Sequence, residues 1–152
     1  MTFDPEKLLD DTGWQLLQAL QADARLSFAE LGRMVGLSPP AVAERVRRME
    51  DAGIIMGYRA EVNPEKIGLP LTALIALTTT PQQYPQVIAL INDLPEVLEC
   101  HHVTGNGSFS IKAIASSISH LESLIEQLSR YGQTSTSIVL SRTKSHQAIQ
   151  RL

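Results

Sequence analysis

The sequence predicts an α+β protein in which a three-helix N-terminal domain precedes a ferredoxin-like βαββαβ domain. Two observations support this fold class. Before Gly57, apolar residues recur with the period of an α-helix. After it, short β-branched runs alternate with amphipathic helical patterns, in the order of the split βαβ motif. We therefore expect a helical domain over residues 1–56, a linking strand within 57–66 and a ferredoxin-like domain over 67–152.

The first predicted helix begins after Asp10, a residue type that caps helix N-termini by accepting a backbone hydrogen bond. Leu9 and Trp14 have the spacing of a hydrophobic staple, which favours a core role for Trp14 over a ligand-stacking role. The apolar face of this helix comprises Gly13, Leu16, Leu17 and Leu20.

Residues 26–50 predict two short helices joined by a tight turn, the arrangement of a DNA-reading helix-turn-helix. Ser27 and Glu30 have the S-x-x-E spacing of a capping box at the start of the first. Gly36 lies where that helix must end and the chain must turn. Ser38 precedes a proline and can cap the second.

The helix after Ser38 has the amphipathic pattern of a recognition helix. Its inward stripe is Val42, Val46 and Met49, and its outward face is Pro40, Ala41, Glu44, Arg47, Arg48 and Asp51, with Arg45 on the flank. Small residues at its N-terminal end and arginines further along suit a major groove, although charged surface helices are also common. The candidate DNA-contacting residues are Arg25, Ser38, Pro40, Ala41, Glu44, Arg45, Arg47 and Arg48.

The distribution of charge supports double-stranded DNA as the partner of this segment. The whole chain has a net charge of −3, which argues against a generic nucleic-acid binder. Residues 1–24 carry one Lys+Arg and five Asp+Glu, a net of −4, whereas residues 25–48 carry five and two, a net of +3. All five of those cations are arginine, the residue best suited to bidentate contact with phosphate or guanine.

The second half predicts a dimerising sheet. We expect strands at 71–79, 97–104, 109–115 and 136–142, and helix faces made of Tyr84, Val87, Ile88 and Ile91 and of Ile118, Leu121, Ile125 and Leu128. The first strand has apolar residues on both faces, but two helices can cover only one. The other face is therefore expected to pack against a second copy, which makes the protein a homodimer.

The remaining chemistry of the sequence points away from catalysis. Cys100, His101 and His102 invite a metal hypothesis, but neighbours on a strand point to opposite faces, so we expect no metal site. No spacing indicates catalytic residues or a cofactor, and we expect a protein that is not an enzyme. Without a signal peptide or a membrane-spanning run, we expect a cytoplasmic location.

One long segment carries a family resemblance, LDDTGWQLLQALQADARLSFAELGRMVGLSPPAVAERVRRMEDAGIIMGYRAEVNPEKIG. It resembles the N-terminal part of the Lrp/AsnC, or feast/famine, transcription regulators, and the similarity continues to about residue 142. The resemblance implies a winged-type helix-turn-helix, a linking strand and a C-terminal domain that binds amino acids or related effectors. It also implies dimers and higher assemblies, and the sequence leaves open whether these reach octamers.

The resemblance also implies an effector loop, in which many relatives carry Gly-Asp-x-Asp. Here the corresponding residues are Gly105, Asn106, Gly107 and Ser108, so both acidic positions are neutral. A contact that relies on carboxylate charge is then weakened. A changed effector, an effector held by backbone groups and no effector at all remain open.

We therefore expect a sequence-specific DNA-binding transcriptional regulator of the Lrp/AsnC type, with an amino acid or related small molecule as its candidate effector. The first alternative is an architectural protein that wraps or bridges DNA without an effector. An enzyme or a free-standing amino-acid-binding module is a second alternative, which the appended helix-turn-helix disfavours.

Overall fold

The computed structural model describes residues 8–105, 107–145 and 147–151, which divide between two compact units. The first unit is drawn from residues 1–60 and 144–152, and the second from 61–143. The end of the chain, expected within the ferredoxin-like domain, thus groups with the first unit. Gln21 accounts for part of this grouping, because its side-chain amide donates to the Ile149 carbonyl oxygen and accepts from the Ile149 backbone N–H.

The first unit contains the helices α1 (Asp11–Ala22), α2 (Phe28–Val35) and α3 (Pro39–Asp51). The predicted starts of α1 and α2 are confirmed: Asp10 accepts from the Gly13 backbone N–H, and Ser27 and Glu30 form a reciprocal capping box. The helices enclose a core of Leu16, Ala19, Leu31, Val42 and Val46.

The turn between α2 and α3 depends on two glycines. Gly36 ends α2 in the left-handed conformation, at φ 70°. Gly32 accepts a hydrogen bond from the Leu37 backbone N–H, and a Cβ on Gly32 would lie only 2.4 Å from the Leu37 carbonyl oxygen. Ser38 occupies the N-cap position of α3 but makes no capping hydrogen bond, because Pro39 and Pro40 remove two of the N–H groups it would otherwise face.

Two elements expected near the end of the first unit, the wing and the linking strand, are not formed as strands within the single chain. Residues 57–63 form no strand, and none lies within residues 8–60, all of which the structure describes. The alternation of Tyr58, Ala60 and Val62 suits a strand, but no other described segment pairs with it. An extended segment becomes a strand only when a neighbouring backbone supplies hydrogen bonds.

The second unit has the predicted βαββαβ order. It consists of β1 (Leu71–Thr78), α4 (Tyr84–Asp93), β2 (Val97–His102), β3 (Phe109–Ala115), α5 (Ile118–Ser129) and β4 (Gln133–Ile138), with short 3₁₀ turns at Pro64–Ile67 and Pro81–Gln83. The strands form an antiparallel sheet in the order β2-β3-β1-β4. Both helices pack on one face of it, against a core that includes Ala73, Ile75, Leu77, Ile111, Val87 and Leu124.

Several details of this unit differ from the predictions. β1, β2 and β4 end at Thr78, His102 and Ile138, before the predicted ends at residues 79, 104 and 142. The last strand begins at Gln133 and not at residue 136, because its ladder with β1 extends through polar residues that an apolar pattern does not reveal. Ile88 and Ile118, expected on inward helix faces, are about half exposed, at 49% and 52%. Leu124 and the partly buried Leu90 take up the inward positions instead.

The sheet face away from the helices combines small and polar side chains with the apolar residues Leu74 and Ile114. Leu74 lies opposite Lys112 on β3 and Ser137 on β4, and Ala76 lies opposite Ser110 and Ser135. Ile114 is 8% exposed, whereas Leu74 is 49% exposed in the single chain. On this outer face of the sheet, the exposed Leu74 therefore has small and polar neighbours.

We expect Gly32→Ala to destabilise the first unit by about 1–3 kcal/mol, the usual range for forcing an extra methyl group into a packed site. The new Cβ would press on the Leu37 carbonyl oxygen, at 2.4 Å, in the turn that orients α3. Urea unfolding followed by the fluorescence of Trp14, the single tryptophan of the chain, measures the loss.

The matched control is Gly36→Asn. A Cβ on Gly36 would have no other atom within 4 Å, and asparagine tolerates the left-handed conformation, so the loss should stay below about 1 kcal/mol. If Gly32→Ala cost no more than this control, close approach at the turn would not be the constraint we describe.

Candidate functional site

The outward face of α3 is presented as the sequence predicts. Val42, Val46 and Met49 are at most 3% exposed, which confirms the inward stripe. The opposite side of the helix carries the exposed residues Ser38, Pro40, Glu44, Arg47 and Arg48. Ala41 lies on the same side and is half-buried. The prolines and Ala41 leave this end of the helix free of bulk, as close approach to base edges requires.

Arg47 is held along the surface of α3 by two carboxylates. Its guanidinium donates to both oxygens of Glu44, at 3.0 and 3.1 Å, and to Asp51 at 2.7 Å. The hydrogen bond from Arg47 lowers the pKa of the Glu44 carboxyl. Because these side chains are about half exposed or more, such pairs contribute little stability, and Arg47 can exchange a carboxylate for another anion at small cost.

Arg45 is paired with a carboxylate outside α3. Its two terminal nitrogens donate to the two carboxylate oxygens of Asp10, each at 2.7 Å. The hydrogen bond from Arg45, together with one from the Gly13 backbone N–H, lowers the pKa of Asp10 to about 2. Sequence spacing placed Arg45 on the flank of the helix but gave no sign of a partner 35 positions away.

Within residues 8–56, three exposed arginines make no ion pair with the described residues, namely Arg25, Arg33 and Arg48. Arg25 and Arg48 were candidate contacts from the sequence. Arg33 was not, although it was counted in the positive segment, because it lies in the last turn of α2 and outside the recognition helix. These three side chains supply the uncompensated positive charge of the first unit's helix-turn-helix.

In the loop between β2 and β3, the Ser108 side chain is bonded to the backbone of Thr79. The Ser108 hydroxyl donates to the Thr79 carbonyl oxygen at 3.0 Å and accepts from the Thr79 backbone N–H at 3.1 Å. Only 9% of Ser108 is exposed. Its side chain therefore fastens the loop to the end of β1, and its donor is not free for a ligand. Gly105 and Gly107 flank Asn106, which lies outside the described residues.

The histidine and cysteine residues of β2 are split between the two faces of the sheet. His102 packs edge-on against the ring of Tyr84, with centroids 4.9 Å apart, and Cys100 packs against the core. Burial raises the pKa of the Cys100 thiol. His101 lies 3.8 Å from the Glu99 carboxylate. Within the described ranges, no group of three His, Cys, Asp or Glu residues is arranged to hold a metal ion.

The sequence analysis did not detect a hydrogen-bond network at the start of α5, because two of its residues, His120 and Glu96, are 24 positions apart in the chain. The His120 ring bonds to Glu96 through Nε2 at 2.9 Å and to the Ser116 hydroxyl through Nδ1 at 3.0 Å. The Ser116 backbone N–H also donates to Nδ1. Since that nitrogen already accepts a backbone hydrogen bond, His120 serves the helix start and is poorly placed to act as a base toward Ser116.

The first unit also contains an apolar cavity of about 370 Å³. Trp14, Leu17, Leu20, Tyr58 and Ile149 are among its lining residues. Trp14 is half-buried here and not in the closed core that the staple spacing predicts. The Tyr58 hydroxyl donates to Glu50 at 2.9 Å, and burial, aided by this carboxylate, raises the pKa of Tyr58 to about 12.

Family models match both parts of the chain. Residues 9–50 match the AsnC-type helix-turn-helix domain, and residues 72–149 match the Lrp/AsnC ligand binding domain. No helix among the described residues is long and apolar enough to cross a membrane.

Individual relatives agree with these matches over nearly the whole chain. The regulator LrpC of Bacillus subtilis is 37% identical over 133 residues, or 88% of this chain and 92% of LrpC. Its solved structure has a TM-score of 0.86, at 36% identity, and the alignment covers 91% of this chain and 99% of that one. The regulatory protein AsnC of Escherichia coli is 34% identical over 138 residues, or 88% of this chain and 91% of AsnC.

A third similar structure is that of the feast or famine regulatory protein of M. tuberculosis complexed with L-methionine, with a TM-score of 0.84 at 35% identity. That alignment covers 90% of this chain and 95% of the other. Taken with the helix-turn-helix geometry and the βαββαβ unit, these matches show that the chain belongs to the Lrp/AsnC family of transcriptional regulators.

Proposed function

We propose that this regulator reads double-stranded DNA through the outward face of α3, with the N-terminal end of the helix at the base edges. The observation that carries the proposal is the combination of small exposed residues at that end with exposed arginines that lack an ion-pair partner in the described ranges. Ser38 supports it, because its hydroxyl is not used in capping α3 and can donate to or accept from a base.

The arginines would contact different groups of the DNA. Arg48 and Arg25 are exposed and suited to phosphate contact, and Arg33 joins them as a further candidate. Arg47 can reach phosphate or guanine by releasing Glu44, Asp51 or both, at the small cost of surface ion pairs. Glu44, once released, can accept from the exocyclic amine of cytosine.

The first test is Arg48→Ala. We expect weaker DNA binding and a salt slope, the dependence of log affinity on log salt, smaller by about one unit, because one phosphate contact no longer releases its counterion. The measurement is fluorescence anisotropy at several salt concentrations, with a duplex enriched from a randomised library by the unmodified protein.

Arg130→Ala is the matched control, since it removes the same charge from an exposed position in the second unit. Its slope should equal that of the unmodified protein. Equal slopes for Arg48→Ala and Arg130→Ala would remove Arg48 from the phosphate contacts.

We further propose that the protein works as a homodimer joined through the outer face of its sheet. Leu74 supplies the large apolar side chain, and the small residues Ala76, Ser110, Ser135 and Ser137 allow a second sheet to come close. A two-fold dimer would read half-sites about one helical turn of DNA apart, or a multiple of that.

The dimer is tested by Leu74→Glu. A charge at the centre of the outer face should be buried without a partner on association, so we expect a monomer by sedimentation at concentrations where the unmodified protein is dimeric. Ile88→Glu is the control, because Ile88 is equally exposed, at 49%, but lies on a helix. If both variants stayed dimeric, the sheet face would not be the interface.

A similar protein supplies a candidate class of effector. The M. tuberculosis relative was crystallised with L-methionine, and we propose that an amino acid or related molecule is the effector class here as well. The neutral residues at 106 and 108, and the use of the Ser108 hydroxyl by Thr79, reduce the electrostatic attraction that this loop can offer to a ligand ammonium group.

We therefore expect L-methionine to bind the unmodified protein weakly, with a Kd of about 1 mM or higher. Asn106→Asp should tighten it by about tenfold, the value of one added charged hydrogen bond. Ser108 should be kept, because an aspartate there would face the Thr79 carbonyl oxygen. Isothermal titration calorimetry, with DNA affinity measured in parallel, gives both quantities.

Asn106→Ser is the neutral control and should bind as the unmodified protein does. Micromolar binding by the unmodified protein, unchanged in both variants, would contradict the role given to loop charge. Absence of binding in all three, with DNA binding intact, would favour the architectural alternative.

A further inference from the structure

Arg45 differs from Arg47 and Arg48 because its guanidinium is paired with a carboxylate outside α3. Both of its terminal nitrogens are bonded to Asp10, at 2.7 Å each. Its side chain is 28% exposed, against 60% for Arg47. A planar guanidinium that meets a carboxylate at two points fixes direction as well as distance.

The Asp10 carboxylate, which pairs with Arg45, also accepts a backbone hydrogen bond. Asp10 Oδ1 also accepts the Gly13 backbone N–H at 2.8 Å and so caps the N-terminus of α1. One side chain therefore fixes the start of α1 and, through Arg45, the middle of α3. Leu16 of α1 and Val46 of α3 lie in the same buried core. The ion pair between Asp10 and Arg45 and this apolar core therefore connect the same two helices.

We propose that Arg45 is a positioning residue, which with Asp10 sets the orientation of α3 against α1 and does not itself contact DNA. The inference rests on the proposed reading of DNA by α3. The rival role, a phosphate anchor, requires Arg45 to give up two short hydrogen bonds. It would also leave the Asp10 carboxylate unpaired beside a phosphate, where like charges repel.

The two roles predict opposite effects for Asp10→Asn. Asparagine is a good N-cap and still accepts from the Gly13 N–H, so the variant keeps the cap and loses the charged partner of Arg45. If Arg45 positions α3, DNA binding should weaken by about fivefold, equivalent to about 1 kcal/mol for a partly exposed ion pair. If Arg45 is an anchor, the variant frees it, and binding should tighten.

Asp11→Asn is the matched control, since it removes the same charge one residue away. Asp11 pairs with Arg151 at 3.1 Å and not with α3. Any general gain from removing a negative charge should appear in both variants. The comparison therefore isolates the tie between Asp10 and Arg45.

The complete experiment uses the full chain and a duplex enriched by the unmodified protein, with salt slopes for Asp10→Asn, Asp11→Asn, Arg45→Ala and the double variant Asp10→Asn with Arg45→Ala. We expect Asp10→Asn and Arg45→Ala to weaken binding with unchanged slopes. The double variant should be no weaker than either single one, because the second change removes nothing further. Hydrogen exchange of the α3 amides should rise in all three.

Binding by Asp10→Asn as tight as, or tighter than, that of Asp11→Asn would overturn the proposal, as would a slope lowered by about one unit in Arg45→Ala. Failure of the proposed function gives a different result. In that case the unmodified protein would enrich no duplex from the library, and Arg48→Ala would have no slope to change.

Discussion

Burial of the inward stripe of α3 is the constraint on which the candidate interface depends. Val42, Val46 and Met49 are almost completely buried. A helix with about 3.6 residues per turn has no freedom to rotate once three such positions are fixed on one side. Every other side chain of α3 then has an assigned direction, and the small residues and arginines face outward as a consequence of the core. The position of the proposed DNA-contacting face is therefore set by the buried stripe.

Arginine serves two purposes within this arrangement. Arg45 is turned toward a partner on another part of the first unit, whereas Arg25 and Arg48 are exposed and without an ion pair in the described ranges. The distinction matters because the whole chain is slightly acidic. A protein of net negative charge attracts DNA only where positive charge is left uncompensated. Ion pairs that neutralise some arginines therefore help to define where the remaining ones act.

The sequence predicted those features that depend on local chemistry. The capping box of Ser27 and Glu30 and the left-handed Gly36 are each determined by a few neighbouring residues, and each is found as expected. The class, the order of elements and the face of α3 follow from periodicity, which the sequence displays directly. β3 was also located to the residue, because its apolar run is bounded by clear turn residues.

The features that were missed are joined across long distances in the chain. The bond between Arg45 and Asp10 spans 35 positions and that between Ser108 and Thr79 spans 29. No periodic pattern encodes such pairs, so the sequence did not reveal the partners to which Arg45 and Ser108 are bonded. β4 was misplaced for a related reason. Its residues Gln133–Ile138 are mostly polar, and their strand character comes from the partner β1.

The composition of the sheet supports the proposed association with a second chain. Sheets commonly avoid unwanted edge pairing by placing polar residues on their edge strands, and β4 is a polar edge strand. The outer face, by contrast, combines exposed Leu74 with small neighbours and lacks a helix to cover it. This composition supports the proposed association through the outer face. That two-fold association would give two recognition helices to a single stretch of DNA.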